Sequence, residues 1–273
     1  MGCDYLHIQE GHTMNSYKAI QTEKKEGICY LRLNRPDVLN AINQEMIDEI
    51  LDALGHIDKD DEIRVLIITG VGKAFQAGAD IAELKRMKPM ALLRWNDGVV
   101  RINAGLEKLR QPVIAAINGP AMGGGLELAI SCTFRISVES AKLGLPEVKL
   151  GIIPGTGGTQ RLPRLIGKGR AAEMLLTGEV IDAQKAHEIG LINEVVKDGD
   201  AIQAAEALAA RIMVNAPIAI EMTKDAMEIG KDLPLEQAVQ YSQKNCVTCF
   251  STDDMQEGMS AFLEKRKANF TGK

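Results

Sequence analysis

The chain has 273 residues, of which 45% are hydrophobic and 25% are charged, so it can bury the core of one large domain or of one domain with an appendage. Its 37 acidic side chains outnumber its 32 basic ones, giving a formal net charge of -5. No long cationic run is present to grip a phosphate backbone, and the apolar runs are far shorter than the roughly 20 residues that a membrane span needs. We therefore expect a soluble protein whose partners include neither nucleic acid nor membrane.

The five cysteines are an odd number for a chain long enough to fold without disulfides, which indicates reduced thiols and a cytoplasmic location. Cys246 and Cys249 form a CxxC pattern, but they lie in a predicted helix with no preceding βαβ unit, which favours two packing thiols over a redox or metal role. Residues 1–15 show neither a secretion signal nor an import sequence. We interpret them as an N-terminal extension, with Met14 as an alternative start.

Taken in chain order, the first part of the sequence alternates between strand and helix patterns. Two short runs at residues 17–22 and 27–33 flank four charged residues and predict a β-hairpin. Residues 47–57 carry an apolar stripe at helical spacing, and Asn43 is placed to cap that helix. Later segments predict buried strands at residues 64–69 and 113–118, a further strand at residues 134–138 and a helix at residues 95–110. The order strand, helix, strand favours parallel pairing.

The second half of the chain is mainly helical in pattern. Periodic Ala, Leu, Ile and Met predict helices at residues 201–215, 218–229, 235–250 and 253–268. We interpret the chain as an α/β body at residues 16–195 followed by a helical region at residues 196–273. A helical tail of this kind often packs on a neighbouring subunit.

The most informative stretch is a run of three glycines, Gly123 to Gly125, between a predicted buried strand and a helix-forming segment. Without Cβ atoms, the backbone N–H groups can approach a ligand atom at a helix N-terminus, as in an oxyanion hole. A tight strand-to-helix turn would need the same glycines. The pattern alone leaves both interpretations open.

Two glutamates are candidates for proton transfer. Glu127 follows the glycines in an apolar helical context, and burial raises the pKa of a carboxyl group towards the range of a general acid or base. A place on the polar face of the helix, or a capping role, is the alternative. Glu147 follows Pro146 in a loop rich in turn residues, and two converging carboxylates could divide acid and base work over a shared water.

A third segment, Ala77 to Asp80, is dominated by small residues after a predicted strand. Asp80 could cap a helix that begins at Ile81, and one backbone N–H of this segment could be a second oxyanion donor. A capped loop-to-helix junction without further function is the alternative. Other sites are excluded by spacing, because the chain contains no GxGxxG, P-loop, GxSxG or HExxH pattern and its four histidines are dispersed.

Together these motifs resemble the enoyl-CoA hydratase (crotonase) family, and within it the short-chain enoyl-CoA hydratases. The resemblance runs in the family's order and spacing from NRPDVLNAI (residues 34–42) through PGTGGTQRLPR (residues 154–164) to AFLEKRKANF (residues 261–270). It implies an α/β fold, the ClpP-like spiral of ββα units, with a helical C-terminal trimerisation region. It also implies a homotrimer, or a homohexamer made of two trimers, that binds acyl-CoA thioesters.

The resemblance further implies roles for four residues. The N–H groups of Ala79 and Gly124 would form the oxyanion hole for the thioester carbonyl. Glu127 would help activate a water for attack at Cβ, and Glu147 would deliver a proton to Cα. The implied reaction is reversible hydration of a 2-trans-enoyl-CoA to a 3-hydroxyacyl-CoA. It needs no metal or other cofactor, because coenzyme A is part of the substrate.

Substrate contacts are also assigned by resemblance. The residues concerned are Val38, Leu39, Ala77, Asp80, Ile81, Gly123 and Lys265, of which Val38, Leu39 and Lys265 resemble parts of the pocket for the CoA nucleotide. A strand-end turn and a solvated lysine are the alternatives for these last three. Met87, Met90 and Trp95 could shape the acyl pocket, or could simply pack in the core or on the surface.

The sequence departs from the family pattern at two positions. Thr133 stands where an Asp is usual, which bears on the hydrogen bonds behind the active-site helix, and Ala82 replaces a frequent Lys near the CoA phosphates. The presence of both glutamates favours hydration over double-bond isomerisation. The nearest alternative is another reaction of the crotonase fold, such as double-bond isomerisation or hydration of a cyclic or aromatic-pathway acyl-CoA. A noncatalytic acyl-CoA or RNA-binding homologue is the alternative from another class, and the acidic balance argues against RNA.

Overall fold

The structure, a computed structural model, describes residues 12–13 and 16–273. In chain order its strands are β1 (His12–Thr13), β2 (Ile20–Lys25), β3 (Ile28–Leu33), β4 (Val65–Gly70), β5 (Val113–Ile117), β6 (Ala121–Met122), β7 (Phe134–Val138), β8 (Lys142–Gly144), β9 (Val180–Asp182) and β10 (Glu194–Val196). Its α-helices are α1 (Gln44–Ile57), α2 (Ile81–Leu84), α3 (Pro89–Lys108), α4 (Gly124–Ile130), α5 (Gly158–Ile166), α6 (Lys168–Thr177), α7 (Ala183–Glu188), α8 (Ala201–Met213), α9 (Pro217–Gly230), α10 (Leu235–Phe250) and α11 (Asp253–Glu264). Two 3-10 helices span Pro36–Val38 and Glu147–Leu150.

Seven strands form the main sheet, in the order β1-β2-β3-β4-β5-β7-β10. The first three pair antiparallel, and the pairing is parallel from β3 onward, which confirms the predicted parallel body. Strands β4 and β5 are rich in β-branched residues and are buried along almost their whole length, as expected of parallel strands covered on both faces. A second sheet joins β6, β8 and β9. Its strands β6 and β8 directly precede segments of the candidate site.

The hairpin is confirmed, but its boundaries differ from the prediction. The turn lies at Glu26 and Gly27, both of which have positive φ, at 51° and 80°, the pattern of a tight two-residue hairpin turn. The charged residues before the turn belong to β2. Lys24 can lie in a strand because its ammonium contacts Asp60 at 2.8 Å and Glu62 at 2.7 Å, and these partners from a distant segment are invisible to local sequence patterns.

Helix ends follow local capping chemistry. The Asn43 side chain accepts a hydrogen bond from the Met46 N–H at 3.0 Å, which confirms the predicted cap of α1. Helix α3 begins at Pro89, earlier than predicted, because proline is well suited to the first turn. Helix α11 ends four residues earlier than predicted, because Lys265 adopts a left-handed conformation with φ 55°.

The core lies between the main sheet and the helices that cover it. Helix α8 packs on β4, β5 and β7, and α1 packs against β2 and α3. The C-terminal part is helical as predicted, with α9 and α10 packed as a pair. No described helix is both long enough and apolar enough to span a bilayer. Of the predicted N-terminal extension, the structure describes His12–Thr13, which pair with Glu23 and Lys24; its other residues lie outside the described ranges.

Candidate active site

A cleft of about 240 Å³ opens between the segment after β4, the β6–α4 junction, helix α3 and the residues around Glu147. Its walls include seven of the residues predicted to form the site, namely Ala77, Ala79, Ile81, Gly123, Gly124, Glu127 and Glu147. The predicted convergence of the two glutamates on one cavity is therefore observed.

The glycine run makes the turn from β6 into α4. Gly123 has φ 53° and its N–H donates to the Gly144 carbonyl at 2.9 Å, so a residue with a side chain would be strained there. A Cβ on Gly125 would lie 2.2 Å from the Gln76 carbonyl oxygen, so the backbones approach closely at that point. Gly124 begins the helix, and its N–H belongs to the first turn, where N–H groups have no intrahelical acceptor.

The opposite wall is the segment that contains Gly78 and Ala79. It is fixed by the main chain of Ile42, whose N–H donates to the Gly78 carbonyl at 2.8 Å and whose carbonyl accepts from the Asp80 N–H at 3.1 Å. A Cβ on Gly78 would lie 3.6 Å from the Gly124 nitrogen, so the two segments face each other. Neither Ala79 nor Gly124 donates its N–H to an acceptor among the described residues, which leaves two backbone donors at one cleft.

Glu127 is 3% exposed and its carboxylate is held by three donors. Oε1 accepts from the Thr156 N–H at 3.0 Å and the Gly158 N–H at 2.7 Å, and Oε2 accepts from the Thr156 hydroxyl. Both oxygens act as acceptors, which is how an ionised carboxylate bonds. The predicted burial is confirmed, and the alternatives of a solvent-facing or helix-capping glutamate are wrong.

Glu147 lies in different surroundings in the same cleft. Its Oε2 is buried and has no hydrogen-bond partner. Burial, together with the nearby negative charge of Glu127, raises the pKa of Glu147 to about 7, although a backbone hydrogen bond opposes the shift. A Cβ on Gly123 would lie 3.1 Å from Glu147 Oε1, so the glycine turn also makes room for this carboxyl group. The cleft thus holds a carboxylate with three hydrogen-bond donors next to a carboxyl group whose pKa is raised to about 7.

Comparison with known proteins shows which family has this arrangement. The family model described as enoyl-CoA hydratase/isomerase matches residues 23–273. The chain belongs to the enoyl-CoA hydratase/isomerase family. It is 43% identical over 259 residues to a crotonyl-CoA hydratase of Syntrophomonas wolfei, covering 94% of this chain and 100% of that relative. It is 42% identical over 246 residues to a short-chain-enoyl-CoA hydratase of Clostridium acetobutylicum, covering 90% of this chain and 94% of the relative.

Solved structures agree with the sequence comparison. A crystal structure of enoyl-CoA hydratase from Bacillus anthracis superposes with a TM-score of 0.91 at 40% identity, covering 94% of this chain and 100% of that one. The crotonase fold predicted from the motifs is thereby confirmed.

In this member of the hydratase family, helix α3 contributes part of the cleft wall. Trp95 lines the cleft, as one interpretation of the sequence predicted, together with Val99 one turn later. Met90 is 62% exposed because it lies five residues before Trp95, about 140° around the helix. Met87 borders a neighbouring, more open cavity. Apolar residues after Glu147, including Ile152 and Ile153, complete the wall.

Four of the predicted substrate contacts do not line the cleft. Asp80 caps α2 by accepting from the Ala82 N–H at 3.1 Å, as predicted, and it borders the open cavity beside the cleft. Val38 and Leu39 are exposed at the end of the first 3-10 helix, and Lys265 follows α11. Their contacts with a CoA nucleotide stay predictions.

The two departures from the family pattern have clear surroundings. Ala82 lies in α2 and borders the same open cavity as Asp80. The Thr133 hydroxyl accepts a hydrogen bond from the Val113 N–H at 3.1 Å, so it connects the end of the active-site helix to the start of β5.

Sequence reasoning missed Thr156, which makes two of the three hydrogen bonds to Glu127. The only sequence signal was its place inside PGTGGTQRLPR, a segment already recognised as part of the family pattern.

Proposed function

We propose that this chain is a hydro-lyase that reversibly hydrates a 2-trans-enoyl-CoA to a 3-hydroxyacyl-CoA. The observation that carries the proposal is the pair of glutamates with opposite surroundings, since Glu127 accepts three hydrogen bonds and burial raises the pKa of Glu147 to about 7. Addition of water across a double bond needs one group to take a proton from the water and another to give a proton to carbon. Two carboxyl groups that share one proton meet both needs.

In this mechanism the thioester carbonyl oxygen accepts hydrogen bonds from the N–H groups of Ala79 and Gly124. These donors stabilise the negative charge that develops on the oxygen when water attacks, and each contributes about 2.7–4 kcal/mol to the transition state. Glu127 takes a proton as the water oxygen bonds to Cβ, and Glu147 gives a proton to Cα. Water is thereby added as hydroxyl and hydrogen, and no cofactor besides the CoA of the substrate takes part.

The substrate is a short-chain acyl thioester under this proposal. Relatives named crotonyl-CoA hydratase and short-chain-enoyl-CoA hydratase align along at least 90% of the chain. The cleft volume of about 240 Å³ and its apolar lining suit a short hydrocarbon chain. We assign the CoA nucleotide to Val38, Leu39 and Lys265, as the family resemblance implies, and Asp80 remains a proposed substrate contact.

The same proposal includes an oligomer and a cytoplasmic location. A homotrimer or homohexamer is supported by large apolar side chains that α10 and α11 leave exposed, among them Leu235 at 81% and Phe262 at 83%. A reducing compartment is supported by the thiols of Cys132, Cys246 and Cys249, which form no disulfide among the described residues.

The direct test is the loss of enone absorbance when the purified protein meets crotonyl-CoA, repeated with a longer 2-enoyl-CoA. We expect fast loss with crotonyl-CoA, slower loss with the longer ester and almost none with Glu147→Gln. Glu173→Gln, an exposed glutamate on α6 outside the cleft, is the matched control and should keep full activity. Binding of the CoA ester without any loss of absorbance would contradict the proposed hydration.

A further inference from the structure

The three donors on Glu127 all come from one loop, and that loop is held from behind. Thr156 and Gly158 face Glu127 with their N–H groups. The carbonyl of Thr156 accepts from the Arg161 Nη1 at 3.3 Å and from the Asn103 Nδ2 at 3.0 Å. This carbonyl belongs to the peptide unit that lies between the two N–H groups, so its orientation sets theirs.

The peptide between residues 156 and 157 would be easy to turn without these contacts. Gly157 has φ 129°, a region that glycine enters freely, and glycine restricts rotation of the preceding peptide less than any other residue. A turn of that peptide would break both bonds to the Thr156 carbonyl. A Cβ on Gly157 would lie 1.8 Å from Arg161 Nη1, so the space left by the missing side chain is occupied by the guanidinium.

Arg161 is itself fixed by a carboxylate. Its Nε and Nη2 donate to the two oxygens of Glu107 at 2.9 and 2.8 Å, and both side chains are 19% exposed. Lys231 from α9 contacts the same carboxylate at 3.1 Å. Although burial opposes ionisation, hydrogen bonds from Arg161 and Lys231 hold the pKa of Glu107 below its ordinary value. A bidentate, partly buried ion pair of this kind fixes the plane of the guanidinium.

We propose that Arg161 is a positioning residue for hydration: held by Glu107, it fixes the Thr156 carbonyl and so aims the loop's donors at the Glu127 carboxylate. The proposal rests on the proposed function for its kinetic consequences. Arg161 does not line the cleft and touches no reacting atom, so its removal should change kcat and leave KM nearly unchanged.

The kinetic test compares Arg161→Lys and Arg161→Gln with wild type on crotonyl-CoA. Lysine keeps the charge beside Glu107 but cannot form the paired bonds and reach Thr156 at once. We expect kcat to fall about 10- to 100-fold in both variants, since misplacement of a catalytic group by about 1 Å costs up to about 10²-fold, with KM within about twofold. Arg164→Gln, on the same helix but facing exposed Asp232, should keep the wild-type kcat.

A double-mutant cycle separates positioning from general loss of structure. If Arg161 acts through Glu127, adding Arg161→Gln to Glu127→Gln should lower kcat less than about twofold further. A full multiplicative loss in the double variant, or a wild-type kcat in Arg161→Lys, would overturn the proposal.

A crystal structure of Arg161→Gln tests the same inference without turnover. We expect the Thr156 carbonyl to turn and the contacts of Thr156 with Glu127 to be lost or lengthened; unchanged contacts would overturn the positioning role. An inactive wild type would contradict the proposed hydration, and the crystal structure would then decide the positioning claim separately.

Discussion

Glu127 and Glu147 occupy one cleft, yet their surroundings are opposite. Glu127 is almost fully buried and both of its oxygens accept hydrogen bonds, whereas Glu147 has a buried oxygen with no partner. The loop at residues 156–158 therefore compensates the desolvation of the Glu127 carboxylate, whereas a backbone hydrogen bond opposes the desolvation of Glu147 only in part. Under the proposed mechanism, this difference in surroundings is what separates the base role of Glu127 from the acid role of Glu147.

The largest expected effect comes from removing either carboxylate. Glu127→Gln and Glu147→Gln should each lower kcat for crotonyl-CoA hydration by about 10²- to 10⁴-fold, the usual contribution of general acid-base catalysis. Binding of 3-hydroxybutyryl-CoA, measured by calorimetry, should stay within a few-fold of wild type.

The Glu127→Gln and Glu147→Gln variants should differ in stability. Glu127→Gln replaces hydrogen bonds to a charged carboxylate by weaker ones to a neutral amide, so it should lower Tm. Glu147→Gln should not, because Glu147 Oε2 has no hydrogen-bond partner. Equal Tm changes would remove the contrast between the two sites.

Two glycine substitutions crowd the two carboxylates separately. A Cβ on Gly158 would lie 2.8 Å from Leu145 Cδ1, 3.0 Å from Pro154 Cβ and 3.1 Å from Glu127 Oε1. A Cβ on Gly123 would lie 3.1 Å from Glu147 Oε1. We expect each alanine variant to lower kcat markedly, and Gly123→Ala, where φ is positive, to lower the free energy of unfolding by about 1–3 kcal/mol as well. Gly190→Ala has a positive φ but open space around the Cβ position. It should lose comparable stability and keep its activity; an equal loss of activity there would mean that backbone strain alone explains the effect.

The Thr156 hydroxyl tests one donor on Glu127. Hydrogen bonds to charged groups contribute about 1.5–3 kcal/mol, so Thr156→Ala should lower kcat by about 10-fold or more. Thr156→Ser keeps the hydroxyl that donates to Oε2 and should recover most of the activity. Steady-state kinetics on crotonyl-CoA measures both variants, and an alanine variant as active as the serine variant would show that the backbone donors suffice.

The smallest effect concerns stability and pH. Because the pKa of Glu147 is raised from 4.5 to about 7 in the folded state, the folded protein binds more protons than the unfolded chain between these values. The contribution of Glu147 to stability therefore declines as pH rises through this window. Glu147→Gln should raise Tm relative to wild type more at pH 8 than at pH 5. A difference in Tm that is the same at both pH values would contradict the raised pKa.

The sequence predicted best what depends on local pattern. The helical stripe after Asn43 and the buried strand that became β4 follow from periodicity, and the glycine run before Glu127 marked the site because close backbone approach demands glycine. The positions of Thr156 and Arg161 could not be predicted in this way. Thr156 bonds to Glu127 across 29 residues of sequence, and such a pairing depends on how α4 and α5 pack together in space.

Other features of the structure could not be predicted from the sequence, for similar physical reasons. Lys24 in β2 is stabilised by Asp60 and Glu62, so a charged run that looked like a loop is part of a strand. The roles proposed for Val38 and Lys265 depend on a bound CoA, which no local pattern describes.

The pH dependence of kcat/KM for crotonyl-CoA hydration tests the central claim most directly, because it reports the ionisation of the free enzyme. If the active form carries one proton, held by Glu147, then kcat/KM should fall as the pH rises above about 7. This decline should be absent from the residual activity of Glu147→Gln. A kcat/KM that instead increases as pH rises through 7 would show that ionised Glu147 is the active form, and would contradict its role as proton donor.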